Sequence, residues 1–198
     1  MPGKAPTIMI IRHGEKPAGK VAGVNEWGSK SAHHLSVRGW QRAGALACLF
    51  APARGALQNG LLAKPAFIFA SAAGDSGIGS SRSRRSEETV VPLAHRIGVP
   101  VDLRFSKGQE RALAETAQGC DGPVLIAWQH ENIGVIANFI LGAQGTGQQV
   151  PGAQVAPMSW PSDRFDLIFV LSLNPLDGRY SFAQVGQCLL AGDSERLL

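Results

Sequence analysis

The chain has 198 residues, of which 44% are hydrophobic and 17% are charged, and its formal net charge is +4. This composition excludes a disordered chain and predicts one domain, residues 1–198, with a substantial core. The weak positive charge suits a small anion, but the sequence has no long Lys/Arg run of the kind that binds nucleic acid. No apolar run is long enough to span a membrane, and the first one is typical of a strand, not of a signal peptide. We therefore expect a cytoplasmic protein with no nucleic-acid or membrane partner.

The three cysteines, Cys48, Cys120 and Cys188, are widely spaced and form no CxxC pair. Their number and spacing disfavour a disulfide framework and a structural zinc site. Because they lie in apolar segments or at a loop edge, we predict buried free thiols in a reducing compartment. The sequence predicts no metal and no organic cofactor.

The first predicted elements are a buried strand and a helix. Residues 7–11 are apolar and rich in β-branched side chains, which is typical of a central strand covered on both faces. Ser36 is a good N-cap, and apolar residues continue from it to Phe50 at helical spacing. Residues 17–35, between these elements, have the glycines and small polar residues of a loop.

Strands and helices continue to alternate along the rest of the chain. This alternation favours a three-layer α/β/α sandwich, with a mostly parallel central sheet and helices on both faces. Further strands are predicted at 66–70, 101–105, 123–128, 165–173 and 180–185; helices from Arg84 or Arg85 to Ile97, at 109–118 and at 133–141; and loops at 71–83 and 142–160.

Polar clusters follow three of the predicted strands. Arg12 and His13 follow the first, a serine-rich loop reaching Arg85 follows the second, and His130 and Glu131 follow the third. Since sites in such sheets lie beyond the carboxyl ends of the strands, we expect these side chains to meet in one pocket. Guanidinium groups match phosphate oxygens, and a neutral imidazole can attack phosphorus. The clusters therefore predict a pocket for a small phosphorylated substrate or for phosphate.

Four motifs stand along the chain, each after a predicted element. They are Ile10-Ile11-Arg12-His13-Gly14-Glu15, Leu35-Ser36-Val37-Arg38-Gly39-Trp40-Gln41-Arg42-Ala43, Ser83-Arg84-Arg85-Ser86-Glu87-Glu88-Thr89 and His130. In type and order they resemble the motifs of the histidine phosphatase superfamily, which includes the cofactor-dependent phosphoglycerate mutases. The resemblance runs from about residue 7 to residue 140.

This resemblance implies a phosphoglycerate mutase-like fold and a metal-independent phosphatase, or a related phosphoryl transfer. It implies that His13 is the phosphorylated nucleophile, that Arg12 and Arg85 clamp phosphate oxygens, and that His130 completes the pocket. Substrate specificity would then come from the loops at 17–35, 71–82 and 142–162.

The sequence departs from the family at the general acid. Mutase-like members carry a glutamate after the Arg-x-x-x-Thr helix, but residues 101–106 contain none. Acid-phosphatase-like members carry an acid directly after the second histidine, where this chain has Glu131. We favour Glu131, with Glu110, Glu15 and the substrate itself as alternatives. This departure leaves open a catalytically weak domain that binds a phosphorylated ligand and, with less support, a phosphomutase.

Overall fold

A computed structural model describes residues 7–74, 82–142 and 154–198 of the chain. The predicted loops at 71–83 and 142–160 therefore lie partly outside the described residues. No helix within the described ranges is long and apolar enough to cross a membrane. The elements are β1 Thr7–Arg12, α1 Val37–Phe50, β2 Phe67–Ala70, α2 Arg85–Ile97, β3 Val101–Asp102, α3 Glu110–Gln118, β4 Val124–Trp128, α4 His130–Ile140, β5 Leu167–Leu173 and β6 Tyr180–Gly186.

These strands form one sheet in the order β3-β2-β4-β1-β5-β6. The first four in this order are parallel, whereas β5 runs antiparallel to β1 and to β6. The predicted mostly parallel sheet is confirmed. In the central pair, Arg12 of β1 lies opposite Trp128 of β4. The segments that follow β1 and β4 therefore leave the sheet side by side, at its carboxyl edge.

The side chains of β1 show how the layers are built. All six of its residues are buried. Ile8 and Ile10 pack in one core cluster with residues of α3 and α4, while Met9 and Ile11 pack in another with residues of α1 and α2. Since successive side chains of a strand point to opposite faces, the sheet is covered by helices on both sides. The predicted three-layer sandwich is confirmed.

Two helix boundaries follow from single residues, as predicted. Ser36 is the N-cap of α1, and its Oγ accepts a hydrogen bond from the backbone N–H of Gly39 at 3.1 Å. Gly98 ends α2 in the left-handed conformation, with a φ of 70° that suits glycine. Both ends therefore lie where local chemistry places them.

The predicted start of α4 is wrong. The helix begins at His130, not at Ile133, after an extended Gln129 in the N-cap position. Its first turn is polar because it lies at the carboxyl edge of the sheet, and the core-facing residues start at Ile133. Apolar periodicity therefore detects only the part of this helix that faces the core.

The prediction of buried thiols is also wrong. Cys48 and Cys188 are exposed and Cys120 is partly exposed, and all three are free. Cys48 lies on α1 between the buried Ala47 and Leu49, but one residue along a helix turns the side chain by about 100°. Apolar neighbours in sequence therefore do not place a helical residue in the core.

Candidate active site

His13 follows β1 directly and is almost completely buried, with 6% of its surface exposed. Its backbone N–H donates to the carbonyl oxygen of Trp128 at 3.1 Å, which extends the β1–β4 ladder by one bond. In the ring, Nδ1 lies 2.7 Å from the carbonyl oxygen of Gly14. Because a carbonyl can only accept, this contact places the ring proton on Nδ1 and leaves the lone pair on Nε2. In this tautomer, Nε2 of His13 carries no proton.

Burial lowers the pKa of His13 to about 3. The Gly14 carbonyl opposes this shift, while the positive charges of Arg12, Arg85 and His130 add to it. The ring is therefore neutral at pH 7, as a nucleophile must be. That all three charges act on this ring also shows that the structure brings the four predicted side chains together.

Arg12 is fully buried, and one of its nitrogens is bound by a single segment of chain. Nη1 donates to the carbonyl oxygens of Pro161 at 3.2 Å, Ser162 at 2.8 Å and Arg164 at 2.9 Å. The Phe165 ring packs against the guanidinium, 3.8 Å from its centroid to Cζ. Within the described residues, the buried Nε and Nη2 have no hydrogen-bond partner. These two atoms form the edge of a guanidinium that binds an oxyanion through two parallel bonds.

The charge of Arg12 is poorly compensated by the protein. Burial lowers its pKa to about 10, against the opposing effects of Glu131, Asp163 and Glu15. The side chain still carries its charge at pH 7. A buried cation with two free donors is costly unless an anion completes its contacts.

Arg85, the first residue of α2, is the second cation of the pocket. Nη1 donates to the carbonyl oxygen of Ala32 at 3.3 Å, and the buried Nε has no partner among the described residues. Burial lowers its pKa. The neighbouring Arg82 and Arg84 are exposed, and Arg84 pairs with Glu87. Of the three arginines, the one that the motif singles out is also the one that combines partial burial with a free donor.

His130 begins α4 beside the end of β1. Its buried Nδ1 lies 3.2 Å from Oε2 of Glu131, in a geometry that makes no hydrogen bond. Burial lowers the pKa of His130, and the charges of Arg12, Lys16 and Lys107 lower it further. An anion bound beside His130 would oppose these effects and favour its charged form.

The three candidate acids lie in different surroundings. Glu110 is buried, and its carboxylate accepts hydrogen bonds from the Gly108 N–H and from Trp128 Nε1. Glu15 pairs with Arg42 and a second arginine of α1. Of the three, Glu131 is the one whose negative charge raises the pKa of both Arg12 and Arg85. Since its side chain is also 54% exposed, it is the acid best placed to meet a ligand.

The pKa of Glu131 is lowered. Burial alone would raise it, but its own backbone N–H and the charges of His130, Lys107 and Arg12 outweigh that effect. Glu131 is therefore ionised in the free protein at neutral pH. A general acid must carry a proton, so this carboxylate would have to acquire one when an anionic ligand binds.

Sequence reasoning missed several residues that hold the site. The Thr89 hydroxyl accepts a hydrogen bond from the Gly14 N–H at 2.8 Å and donates to the Arg85 carbonyl at 2.6 Å. It therefore links the turn after His13 to the start of α2. Gln129 Nε2 donates to the buried Ser71 Oγ at 2.6 Å, which joins the ends of β4 and β2. The position of Thr89 in the third motif was a usable signal. No local signal marks the Gln129–Ser71 pair.

Within the described ranges, no three His, Cys, Asp or Glu side chains are grouped closely enough to hold a metal ion.

Two solved structures are similar to this chain along most of its length. One, mycobacterial hydrolase 1, is 14% identical over 90% of this chain and 97% of its own, with a TM-score of 0.51. The other, a mycobacterial glucosyl-3-phosphoglycerate phosphatase solved with VO3, is 13% identical over 91% of this chain and 97% of its own, with a TM-score of 0.48. No protein-family model and no curated protein matches the chain. At the level of the fold the prediction is confirmed: the chain is an α/β/α sandwich of the phosphoglycerate mutase-like type, and it has the fold of mycobacterial hydrolase 1 over most of its length. Membership of the histidine phosphatase superfamily stays a prediction.

Proposed function

We propose that the protein is a metal-independent phosphatase that acts through a phosphohistidine at His13. One observation carries the proposal: the neutral His13 ring, with its lone pair on Nε2, lies among Arg12, Arg85 and His130. Each of these three has at least one buried nitrogen without a partner among the described residues. A phosphoryl group supplies what this pocket lacks. Its oxygens accept from the free N–H groups, and its phosphorus is an electrophile for Nε2.

In the first step, Nε2 of His13 attacks phosphorus and the P–O bond to the leaving group breaks. The proton stays on Nδ1, hydrogen-bonded to the Gly14 carbonyl, so the ring becomes a cationic phosphohistidine. The leaving oxygen departs as an alcohol if Glu131 has acquired a proton, or as an anion if it is a good leaving group. Arg12, Arg85 and His130 stabilise the charge on the equatorial oxygens.

In the second step, water attacks the phosphohistidine. The P–Nε2 bond breaks, its electron pair returns to the ring, and inorganic phosphate forms. The ionised Glu131 is suited to take the proton from the attacking water, because its pKa is lowered. No metal is needed in either step, since the guanidinium groups supply the positive charge.

Hydrolysis of p-nitrophenyl phosphate, with and without EDTA, tests the proposal. We expect activity that EDTA does not change and that His13→Ala abolishes. Quenching the wild type in SDS at alkaline pH, with ³²P-labelled substrate, should trap a phosphoenzyme that is stable in alkali and loses its label when acidified. The label should be absent from His13→Ala, and a label on another residue would contradict the mechanism. Arg85→Lys should also lose most activity, because an ammonium cannot make the bidentate contact.

A phosphate-binding domain without useful turnover is the second candidate. The observation that favours it is the ionised state of Glu131 in the free protein, which leaves no protonated acid for the leaving group. This candidate predicts tight binding of phosphate or vanadate and no hydrolysis of p-nitrophenyl phosphate. The phosphatase proposal predicts both binding and turnover.

A further inference from the structure

Arg42 of α1 is a buried side chain that joins the loop after β1 to the C-terminal segment, residues 187–198. It is 1% exposed. Nε and Nη2 donate to the Glu15 carboxylate at 2.8 to 3.1 Å, while Nη1 and Nη2 donate to Asp193 at 3.0 and 2.7 Å. Nη1 also donates to Gln187 Oε1 at 2.9 Å. Arg42 thus binds one acid from each segment.

Asp193 is in turn fixed within the C-terminal segment. Its Oδ2 accepts from the backbone N–H groups of Leu189 and Leu190 at 2.9 and 3.1 Å. Arg38 makes a second link, since it donates to Glu15 Oε1 at 3.1 Å and to the Ala191 carbonyl at 2.7 Å. Two arginines of α1 therefore tie Glu15 to this segment.

Glu15 follows directly after the carbonyl that contacts His13 Nδ1. The carbonyl that accepts from His13 Nδ1 belongs to the peptide joining Gly14 to Glu15. On its other side, the Glu15 carbonyl accepts from the N–H and Oγ of Ser36. A Cβ added at Gly39 would lie 2.5 Å from that carbonyl oxygen, so α1 packs directly on this backbone. The turn after His13 is thus held by α1 through the backbone and by the C-terminal segment through the Glu15 side chain.

The same segment also reaches the Arg12 side of the pocket. The Ser194 N–H donates to Asp166 Oδ2, and Arg164 Nη2 donates to the Arg196 carbonyl. Arg164 is one of the residues whose carbonyl accepts from Arg12 Nη1. Residues 187–198 therefore contact the supports of both side chains.

We propose that residues 187–198 position the nucleophile: through Asp193, Arg42 and Glu15 they fix the peptide whose carbonyl holds the proton on His13 Nδ1, and so keep Nε2 free to react. Asp193 and Arg42 are positioning residues, because they act through Glu15. The proposal rests on the proposed function, which assigns the reaction to His13 Nε2.

The test uses Asp193→Asn in the full-length chain, with Glu195→Gln as the matched control. Glu195 is an exposed acid of the same segment, outside the cluster. Asp193→Asn should lower kcat for p-nitrophenyl phosphate about ten- to hundredfold, with KM within a factor of about two, because the misplaced group is the nucleophile. Ring ¹⁵N shifts, with His13 assigned by its absence in His13→Asn, should show a fall in the Nδ1–H tautomer. Glu195→Gln should leave kcat and these shifts unchanged.

Arg38→Gln serves as a second variant in case Asp193→Asn does not fold. Arg38 has a 45% exposed side chain, and its loss leaves Asp193 paired with Arg42. It should shift kcat and the tautomer in the same direction, by a smaller factor. Wild-type kcat and wild-type ring shifts in these variants would overturn the proposal, even if the melting temperature fell.

The two proposals fail in different ways. If the wild type hydrolyses nothing, the phosphatase proposal fails, but the ring ¹⁵N shifts still decide whether residues 187–198 set the tautomer of His13. If the wild type is active and the variants keep its kcat and ring shifts, only the positioning proposal fails.

Discussion

Arg12 and Arg42 are both buried arginines, with 0% and 1% of their surfaces exposed, but they are satisfied to very different degrees. Each guanidinium nitrogen of Arg42 donates to a side chain of the protein. Of the nitrogens of Arg12, only Nη1 has partners among the described residues. The described residues therefore satisfy the hydrogen-bonding nitrogens of Arg42 but leave two nitrogens of Arg12 without a partner.

The pKa values of these two arginines follow their partners. Burial alone would lower both, but hydrogen bonds from Arg42 to Asp193 and Glu15 outweigh it and raise the pKa of Arg42. Arg12, which has no such carboxylate partner, has its pKa lowered to about 10. Burial alone therefore does not mark a structural cation. Under the proposed function, the phosphoryl group satisfies the open donors of Arg12.

The largest effect expected from this difference is on catalysis. Arg12→Lys keeps the positive charge but loses the paired Nε and Nη2 donors that would bind the phosphoryl oxygens. We expect kcat/KM for p-nitrophenyl phosphate to fall by about 10² to 10³, as when one transition-state donor is removed. The free energy of unfolding, from urea titration, should change by less than about 1 kcal/mol.

Arg42→Lys is the matched variant. It should lose mainly stability, whereas Arg12→Lys should lose mainly activity. A lysine cannot satisfy Glu15 and Asp193 together, so it should lower the free energy of unfolding by about 2 to 3 kcal/mol, with a smaller loss of activity than Arg12→Lys. If Arg12→Lys destabilised the fold as much as Arg42→Lys, the open arginine would be structural after all.

Phosphate or vanadate should stabilise the protein through the open arginine. At a ligand concentration about 100 times the Kd, binding to the native state adds about 2.7 kcal/mol to the free energy of unfolding. We expect this gain in urea titrations of the wild type and of Asp193→Asn, and its loss in Arg12→Lys. An equal gain in all three proteins would show that the anion binds elsewhere.

Much of the fold could be predicted from the sequence because its signals are local. The apolar runs of β1 and β4 and the caps at Ser36 and Gly98 depend on residues adjacent in the chain. The start of α4 could not be predicted from the sequence, because His130 and the residues that follow it in the first turn do not face the core. Its polar turn is visible only once the sheet edge is known.

The site was less predictable than the fold. The motifs identified Arg12 and Arg85, but the carbonyls that hold Arg12 Nη1 come from about 150 residues away and carry no side-chain signature. The sequence favoured Glu131 but left Glu110 open as an acid, and only the folded structure shows that Glu110 is buried and bonded to Gly108 and Trp128. Such pairings depend on the folded backbone and not on spacing in the sequence.

The two regions should also titrate in different pH windows. The unfolded His13 binds a proton below about pH 6.5, whereas in the native state its pKa is about 3. Its contribution to stability is therefore complete above pH 6.5 and is lost as the pH falls toward 3. Between pH 6.5 and 5 this loss is about 2 kcal/mol.

Asp193 titrates lower. Its pKa is lowered to about 2, because its bonds to Arg42 and to backbone N–H groups outweigh burial, which alone would raise it. Its contribution is complete above about pH 3.8 and is lost only below that pH. Urea titrations should therefore show that His13→Asn loses about 2 kcal/mol less than the wild type between pH 6.5 and 5. Asp193→Asn should follow the wild-type slope in this range, and identical slopes in all three proteins would contradict the buried neutral state of His13.

The smallest effect concerns Glu131, the acid that most offsets the burial of Arg12 and has no corresponding effect on Arg42. If Glu131 protonates the leaving group, Glu131→Gln should slow an alkyl phosphate about tenfold and p-nitrophenyl phosphate by less than about threefold. The effect is modest because the lowered pKa of Glu131 limits the protonated fraction. Kinetics on the two substrates at one pH give the ratio. Equal losses on both would show that Glu131 acts in the step that the two substrates share, the attack of water on the phosphohistidine, or through the charges of Arg12 and His130, and that leaving-group protonation comes from elsewhere.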